Sequence, residues 1–169
     1  MIISVSGKGG TGKTTIAALI LKALIEETDK TVLMVDADPS TNAPIVLNIP
    51  VEKTVGDVVN VFRKKVLDTT ELGLDKSRVI ETWIMEILKE TPRFDLLAMG
   101  RSEGEGCYCY VNAVLTSILD RLSSNYDVVL MDMEAGLEHL SRRTDRDVDI
   151  MLVVTCLLYT SDAADEGLG

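Results

Sequence analysis

Apolar and polar positions along the chain follow two periodicities in turn, and this alternation predicts both strands and helices. Short apolar runs predict strands, and the continuous run at 31–35 predicts a strand buried on both faces, as in a parallel sheet. These runs lie at residues 2–6, 31–35, 94–99, 127–131 and 149–155. Helical spacing of apolar residues predicts helices at 14–27, 51–67, 76–90 and 110–122, with Pro92 ending the third. The order is typical of a doubly wound α/β domain with a mainly parallel sheet.

Residues 7–14 read GKGGTGKT, which matches the phosphate-loop pattern G-x-x-x-x-G-K-[ST] between a strand and a helix. Its glycines let consecutive backbone amides face an anion, and the following helix adds its positive end. Lys13 would neutralise the β- and γ-phosphates, and the Thr14 hydroxyl would bind Mg²⁺. We expect nucleotide contacts from Gly7, Lys8, Gly9, Gly10, Thr11, Gly12, Lys13, Thr14 and Thr15. The sequence therefore predicts a P-loop NTPase.

Acidic residues follow two of the predicted strands, at the end of the sheet where open α/β folds bind ligands. Asp36 and Asp38 lie in VLMVDADPS, and their i, i+2 spacing places both on one side of an extended chain. Asp132 ends the apolar run of DVVLMDMEAG, the Walker B pattern that delivers a buried carboxylate to magnesium. A turn or cap before Pro39 is the alternative for Asp36 and Asp38. Glu134 has two interpretations. It contacts either the water shell of magnesium or the dimer partner, or it is a solvated acid with no role in the site.

The segment KGGTGKTT has a second lysine early in the loop and resembles the deviant Walker motif of the MinD/ParA class. The resemblance implies a homodimer in which Lys8 crosses the interface to the partner's nucleotide, as an arginine finger would. A solvated loop charge is the alternative for Lys8. The resemblance also implies that Asp38 orients the attacking water and that the Gly136 amide meets the γ-phosphate. The expected catalytic residues are Lys8, Lys13 and Asp38, and the expected magnesium residues are Thr14, Asp36 and Asp132.

Cys107 and Cys109 lie two residues apart in the segment GCYCY. A disulfide at this spacing would be strained, and two thiolates fill only half of a four-coordinate zinc or nickel shell. A two-fold axis through the pair would supply four sulfurs, whereas two small buried residues are the simpler alternative.

His139, the only histidine, is interpreted as a surface or capping residue, with metal and phosphate contact as alternatives.

Two longer stretches, GRSEGEGCYCYVN and YDVVLMDMEAGLEHL, resemble the accessory ATPases that supply nickel to carbon monoxide dehydrogenase. The resemblance extends over about residues 1–155. It implies ATP and Mg²⁺ as cofactors, Ni²⁺ or Zn²⁺ on Cys107 and Cys109 at the homodimer interface, and a carbon monoxide dehydrogenase-like client. We therefore expect a Mg-ATP-dependent metallochaperone with ATP hydrolase activity. The alternatives are a MinD/ParA-type partitioning or positioning ATPase and an iron–sulfur reductase of the nitrogenase iron protein type.

Composition and charge exclude some of the possible functions and cellular locations of this protein. The formal net charge of −10 disfavours nucleic-acid binding, and no apolar run approaches the roughly 18 residues of a membrane span. The N-terminus lacks the basic start and apolar stretch of a signal peptide, so we expect a cytoplasmic protein.

Residues 156–169, CLLYTSDAADEGLG, resemble the translation of a transposase adapter used in sequencing libraries, with a natural acidic tail as the alternative. We expect a P-loop domain over 1–155 whose sheet stops one or two strands early, followed by a non-native tail.

Overall fold

The computed structural model describes residues 1–66, 76–101, 116–134 and 148–156. Within these ranges, six strands form one sheet in the order β3-β4-β2-β5-β1-β6. The strands are β1 Ile2–Gly7, β2 Val32–Asp36, β3 Lys89–Glu90, β4 Asp95–Ala98, β5 Val128–Asp132 and β6 Ile150–Val154. The helices are α1 Lys13–Glu27, α2 Ala43–Val46, α3 Val55–Val66 and α4 Lys76–Met85, with a fifth helical segment, α5, at 116–122. Neighbouring strands are parallel except β3, which runs antiparallel to β4.

Helices cover both faces of the sheet. On one face α3, α4 and α5 pack through an apolar cluster that includes Phe62 and Leu119. On the other face α1 and α2 pack through a second cluster that includes Leu21 and Ala43. Every residue of β2 and β5 is buried, because these strands lie in the middle of the sheet and are covered on both sides. The predicted doubly wound α/β fold with a mainly parallel sheet is confirmed.

Most predicted elements agree with the observed ones to within a few residues at their ends. The helix predicted to begin at residue 51 begins instead at Val55, because Thr54 and Asp57 cap each other. The Asp57 amide lies 3.3 Å from the Thr54 hydroxyl oxygen, and the Thr54 amide donates to the Asp57 carboxylate at 2.9 Å. This reciprocal pair fixes the first turn of α3. Of the helix predicted over 110–122, residues 110–115 lie outside the described residues.

The prediction of one continuous helix over 76–90 was wrong at its C-terminal end. The helix α4 ends at Met85, and Lys89–Glu90 form the edge strand β3 beside β4. A tight turn joins the two strands, in which the Thr91 amide donates to the Phe94 carbonyl oxygen at 3.1 Å. The Phe94 amide donates in return to the Thr91 hydroxyl oxygen at 3.1 Å. Pairing with β4 satisfies backbone groups of both strands, a tertiary contribution that helical periodicity does not contain.

Candidate nucleotide-binding site

The phosphate loop joins β1 to α1, and two of its glycines adopt left-handed backbone conformations. Gly10 has a φ of 78° and Gly12 a φ of 89°, a region that residues with a side chain rarely enter. A Cβ at either position would meet no atom within 4 Å, so the backbone conformation and not the available space requires glycine. Gly12 is the N-cap of α1, and this geometry directs the first amides of the helix towards the loop.

Gly7 also has a positive φ, and packing gives a second reason for glycine at this position. It pairs with Val154 of the neighbouring strand β6 and has a φ of 146°. A Cβ at residue 7 would lie 2.2 Å from the Val154 carbonyl oxygen, which is far inside van der Waals contact. The motif predicts this glycine through phosphate binding, and the structure adds a packing reason for it.

Lys13 lies against the backbone of the loop that precedes it. The residue is only 7% exposed, and its Nζ donates to the Lys8 carbonyl oxygen at 3.2 Å. The Thr11 hydroxyl donates to the same carbonyl oxygen at 2.8 Å. A buried ammonium group costs free energy unless it is compensated, so a bound anion at this position would be stabilised. The Lys8 residue itself is exposed.

Asp132 ends β5 as a buried carboxylate without a partner. The residue is 1% exposed, and neither carboxylate oxygen accepts a hydrogen bond. Burial raises the pKa of Asp132, and the neighbouring Thr14 hydroxyl and Lys13 ammonium oppose that shift. Thr14 is nevertheless not placed for a well-formed hydrogen bond with either oxygen. Unsatisfied carboxylate oxygens beside a phosphate-loop hydroxyl suit Mg²⁺, so the residues fit the metal that the sequence predicts.

Asp36 lies next to Asp132, because the two residues are register partners in the parallel pair of β2 and β5. Asp36 is fully buried, and its two carboxylate oxygens accept the amides of Asp38 at 3.1 Å and Ala43 at 2.9 Å. Burial raises the pKa of Asp36 to about 7, the two amides lower it, and the charges of Asp132 and Asp38 raise it further. The carboxylate therefore anchors the loop after β2 and the start of α2. The sequence offers a turn or cap as the alternative to a magnesium role for Asp36, and these two hydrogen bonds form such a turn.

Asp38 lies just beyond β2 and is half-buried. Its Oδ1 accepts the Ser40 amide at 2.8 Å, and its carbonyl oxygen accepts the Thr41 amide at 3.0 Å. These bonds form the turn that the sequence offers as an alternative to a catalytic role. The charge of Asp38 raises the pKa of both Asp36 and Asp132, so the three acids share one region of the sheet edge. The structure thus brings the predicted acids together beside Lys13 and Thr14.

The remaining predicted site residues are not all described. Cys107, Cys109, Gly136 and His139 lie outside the described residues, and Glu134 is exposed at the end of its segment. Within the described ranges, no group of three or more His, Cys, Asp or Glu residues is arranged to hold a metal ion. Magnesium at a nucleotide needs only one or two protein ligands, because phosphate oxygens and water supply the others.

Known proteins are similar to this chain in sequence and in fold. Residues 1–164 match the AAA domain family. An uncharacterized ATP-binding protein of Methanocaldococcus jannaschii is 51% identical over 170 residues, which cover 100% of this chain and 64% of that protein. The carbon monoxide dehydrogenase accessory protein CooC of Rhodospirillum rubrum is 30% identical over 164 residues, covering 91% of this chain and 62% of CooC. The septum site-determining protein MinD of Pyrococcus horikoshii, solved with Mg-ADP, has a TM-score of 0.61 and 28% identity, covering 91% of this chain and 56% of MinD.

The fold and the site are those of a P-loop ATPase of the MinD/ParA type. The chain belongs to the AAA domain family, and its relatives include a carbon monoxide dehydrogenase accessory protein. It spans just under two thirds of the length of the curated relatives given above. In the described part of the chain, no helix has the length and hydropathy needed to cross a membrane.

Proposed function

We propose that this chain is the nucleotide-binding part of a cytoplasmic Mg-ATP-dependent metallochaperone that acts in nickel insertion into carbon monoxide dehydrogenase-type enzymes. One observation carries the proposal. A phosphate loop with buried Lys13 and an unpartnered Asp132 occurs in a chain that is 30% identical to CooC and has the thiol pair Cys107 and Cys109.

Nucleotide binding in this proposal depends on the loop and the acids at the sheet edge. Lys13 neutralises the β- and γ-phosphates, and the amides at the start of α1 bind phosphate oxygens. Thr14 and Asp132 would hold Mg²⁺, directly or through water. Bound Mg²⁺ supplies positive charge to the phosphates. The Gly136 amide meets the γ-phosphate and distinguishes ATP from ADP.

Hydrolysis requires a positioned water and additional positive charge near the γ-phosphate. Asp38 orients the water, and Asp36 positions Asp38 by accepting its backbone amide. Lys8 is exposed, so a second copy of the chain can approach it. In the homodimer it would cross to the partner's nucleotide and stabilise charge that develops during phosphoryl transfer.

The metal ion is the cargo in this account. Cys107 and Cys109 of each protomer supply two thiolates, so a two-fold dimer presents four sulfurs to Ni²⁺ or Zn²⁺. ATP favours the closed dimer and hydrolysis favours the open one, because each nucleotide contacts the two arrangements differently. The thiolate site then gains or loses its metal between these states, before delivery to the client enzyme.

Two other functions have support from particular relatives. The iron–sulfur ATP-binding protein of the light-independent protochlorophyllide reductase of Chlorobium phaeobacteroides is 32% identical over 136 residues, covering 79% of this chain and 45% of that protein. This similarity favours an iron–sulfur reductase as the second candidate. The MinD structure favours a positioning ATPase as the third.

Metal analysis of the anaerobically purified full-length protein separates the three functions. The metallochaperone predicts about one nickel or zinc per dimer, and loss of this metal in Cys107→Ser and Cys109→Ser. An iron–sulfur reductase predicts about four irons per dimer. It also predicts a visible absorbance band that disappears when a reductant is added. A positioning ATPase predicts neither metal. About four irons per dimer, or no metal under any loading condition, would contradict the proposed function.

A further inference from the structure

An open groove with a volume of about 790 Å³ lies beside α3, outside the nucleotide site. One wall consists of residues 50–53 and the first half of α3. The other wall consists of the end of α4 and residues 86–90. We call this feature the α3 groove. All of its lining residues belong to the described ranges, and none of them takes part in the nucleotide site.

The floor of the α3 groove is apolar and partly open to solvent. Val58 and Val61 are three residues apart and therefore lie on the same face of α3. Val58 is buried, whereas Val61 is 43% exposed and Met85 on the opposite wall is 48% exposed. Trp83 packs edge-on against the buried ring of Phe62, with ring centroids 6.0 Å apart. A fixed indole beside an adaptable methionine is a surface suited to binding another apolar element.

Both rims of the α3 groove carry exposed acids. Glu52 and Asp57 lie on one wall, and Glu86 and Glu90 lie on the other. The opposing charges in the lining are Lys53 and Lys89, so the acids exceed the bases by two. Asp57 also caps α3, but its side chain remains exposed. An apolar floor between two acidic rims is complementary to an apolar stripe with cations on both sides.

We propose that the α3 groove binds a basic amphipathic helix of a partner protein. The apolar stripe of that helix would contact Val61, Trp83 and Met85, and its Lys or Arg side chains would reach the acidic rims. An amphipathic helix has this pattern, because apolar residues at i, i+3, i+4 spacing form one stripe and Lys or Arg residues can lie on both sides of it. A second copy of this chain fits less well, since a molecule of net charge −10 is repelled by acidic rims.

The test uses a fluorescein-labelled peptide of about 18 residues, composed of Leu and Lys at amphipathic helical spacing. Fluorescence anisotropy with the full-length protein measures its affinity. We expect saturable binding of one peptide per chain, weakened by added salt. A peptide of identical composition but scrambled order, which lacks the apolar stripe, should bind at least about tenfold more weakly. Equal binding of the ordered and scrambled peptides would overturn the proposal, because it would show charge attraction alone.

Matched variants locate the binding surface. The double substitution Glu86→Lys with Glu90→Lys should weaken binding of the ordered peptide about tenfold. Glu26→Lys with Glu27→Lys makes the same charge change on the exposed side of α1 and should have a much smaller effect. Equal weakening by the two double variants would overturn the proposal.

Val61→Asp tests the apolar floor and identifies the occupant. It should also weaken binding of the ordered peptide about tenfold, while thermal melting shows that the variant remains folded. Unchanged peptide affinity in this variant would contradict the proposal.

Sedimentation without peptide compares the oligomeric state of the unmodified protein with that of the variant. If the unmodified protein forms a concentration-dependent dimer that Val61→Asp abolishes, the occupant is a second copy and the proposal is wrong.

Discussion

Asp36 and Asp132 lie side by side at the carboxyl ends of two neighbouring parallel strands, and both carboxylates are buried. Their surroundings differ sharply. Asp36 accepts two backbone amides from the segment that follows β2, whereas the oxygens of Asp132 accept none. In the proposed mechanism, one acid therefore shapes the loop that carries Asp38, and the other is left for a cation beside the phosphate loop.

The first prediction concerns Asp132 and magnesium. Asp132→Asn should weaken Mg·ATP binding roughly 10–100-fold, because the metal loses an anionic contact. Binding of ATP in the presence of chelator should not weaken, since the variant also removes a negative charge near the phosphates. Calorimetric titration with and without Mg²⁺ measures both effects. The same loss of affinity under both conditions would assign Asp132 a purely structural role.

The second prediction separates Lys13 from Asp38. Lys13→Ala should abolish ATP binding, because the phosphates lose the buried ammonium group. Asp38→Ala should retain binding and accumulate an ATP-bound dimer, with hydrolysis reduced at least about 100-fold by the loss of water orientation. Equilibrium binding of a fluorescent ATP analogue and release of phosphate provide the two readouts. If both variants lose binding equally, Asp38 is not the water-orienting residue.

The third prediction is a pH dependence of stability that comes from Asp36. Its pKa in the folded protein is about 7, above the ordinary value of 3.8, so the folded state retains a proton that the unfolded state has lost at intermediate pH. This contribution to stability is complete below about pH 4 and is lost as the pH rises through about 7. Urea unfolding of the nucleotide-free protein between about pH 5 and 8 should show the loss, on the order of a few kcal/mol.

Asp36→Asn provides the control for this measurement. The asparagine cannot ionise, so its free energy of unfolding should fall less steeply with pH than that of the unmodified protein. The variant will also be less stable overall, because an amide side chain cannot accept both backbone amides. Parallel pH profiles for the two proteins would show that Asp36 does not titrate in this range.

The fourth prediction compares two glycines of the same loop. Gly7→Ala should destabilise the fold by about 1–3 kcal/mol, because residues with a side chain rarely adopt a φ of 146° and the new Cβ would overlap the Val154 carbonyl oxygen. Gly9→Ala is the matched control, since a Cβ there meets no atom within 4 Å and Gly9 has no positive φ. Its effect should stay within about 0.5 kcal/mol. Thermal and urea unfolding measure the difference, and equal stability of the two variants would contradict the packing role of Gly7.

Much of the fold could be predicted from the sequence because the central strands are covered on both faces. The resulting apolar runs at 32–35 and 128–131 are continuous, and each is followed directly by an aspartate, Asp36 or Asp132. The edge strand β3 could not be predicted in the same way. Lys89 and Glu90 are exposed and charged, and their strand conformation depends on pairing with β4, which lies beyond a turn. Their apolar neighbours Ile87 and Leu88 continue the helical pattern of α4 past its actual end.

In the site, too, some features could be predicted from the sequence and others could not. The motif predicts Lys13, Thr14 and Asp132 in one place, and the structure places them there. It does not predict that Asp36 binds the amides of Asp38 and Ala43, because those bonds depend on the path of the loop after β2. The collision that a side chain at residue 7 would cause is likewise invisible in the sequence, since Val154 is far away along the chain.

The measurement that tests the metallochaperone most directly is sedimentation of the full-length protein with and without nickel or zinc, and with and without Mg·ATP. If the two thiolates are half of a shared site, metal binding and dimerisation are thermodynamically linked. Cys107→Ser and Cys109→Ser should each abolish metal-dependent dimerisation, while ATP-dependent dimerisation through Lys8 persists. The metal effect should also weaken below about pH 7, because protons compete for the thiolates. Stoichiometric metal on a strictly monomeric protein, or an unchanged metal response in both cysteine variants, would contradict the account.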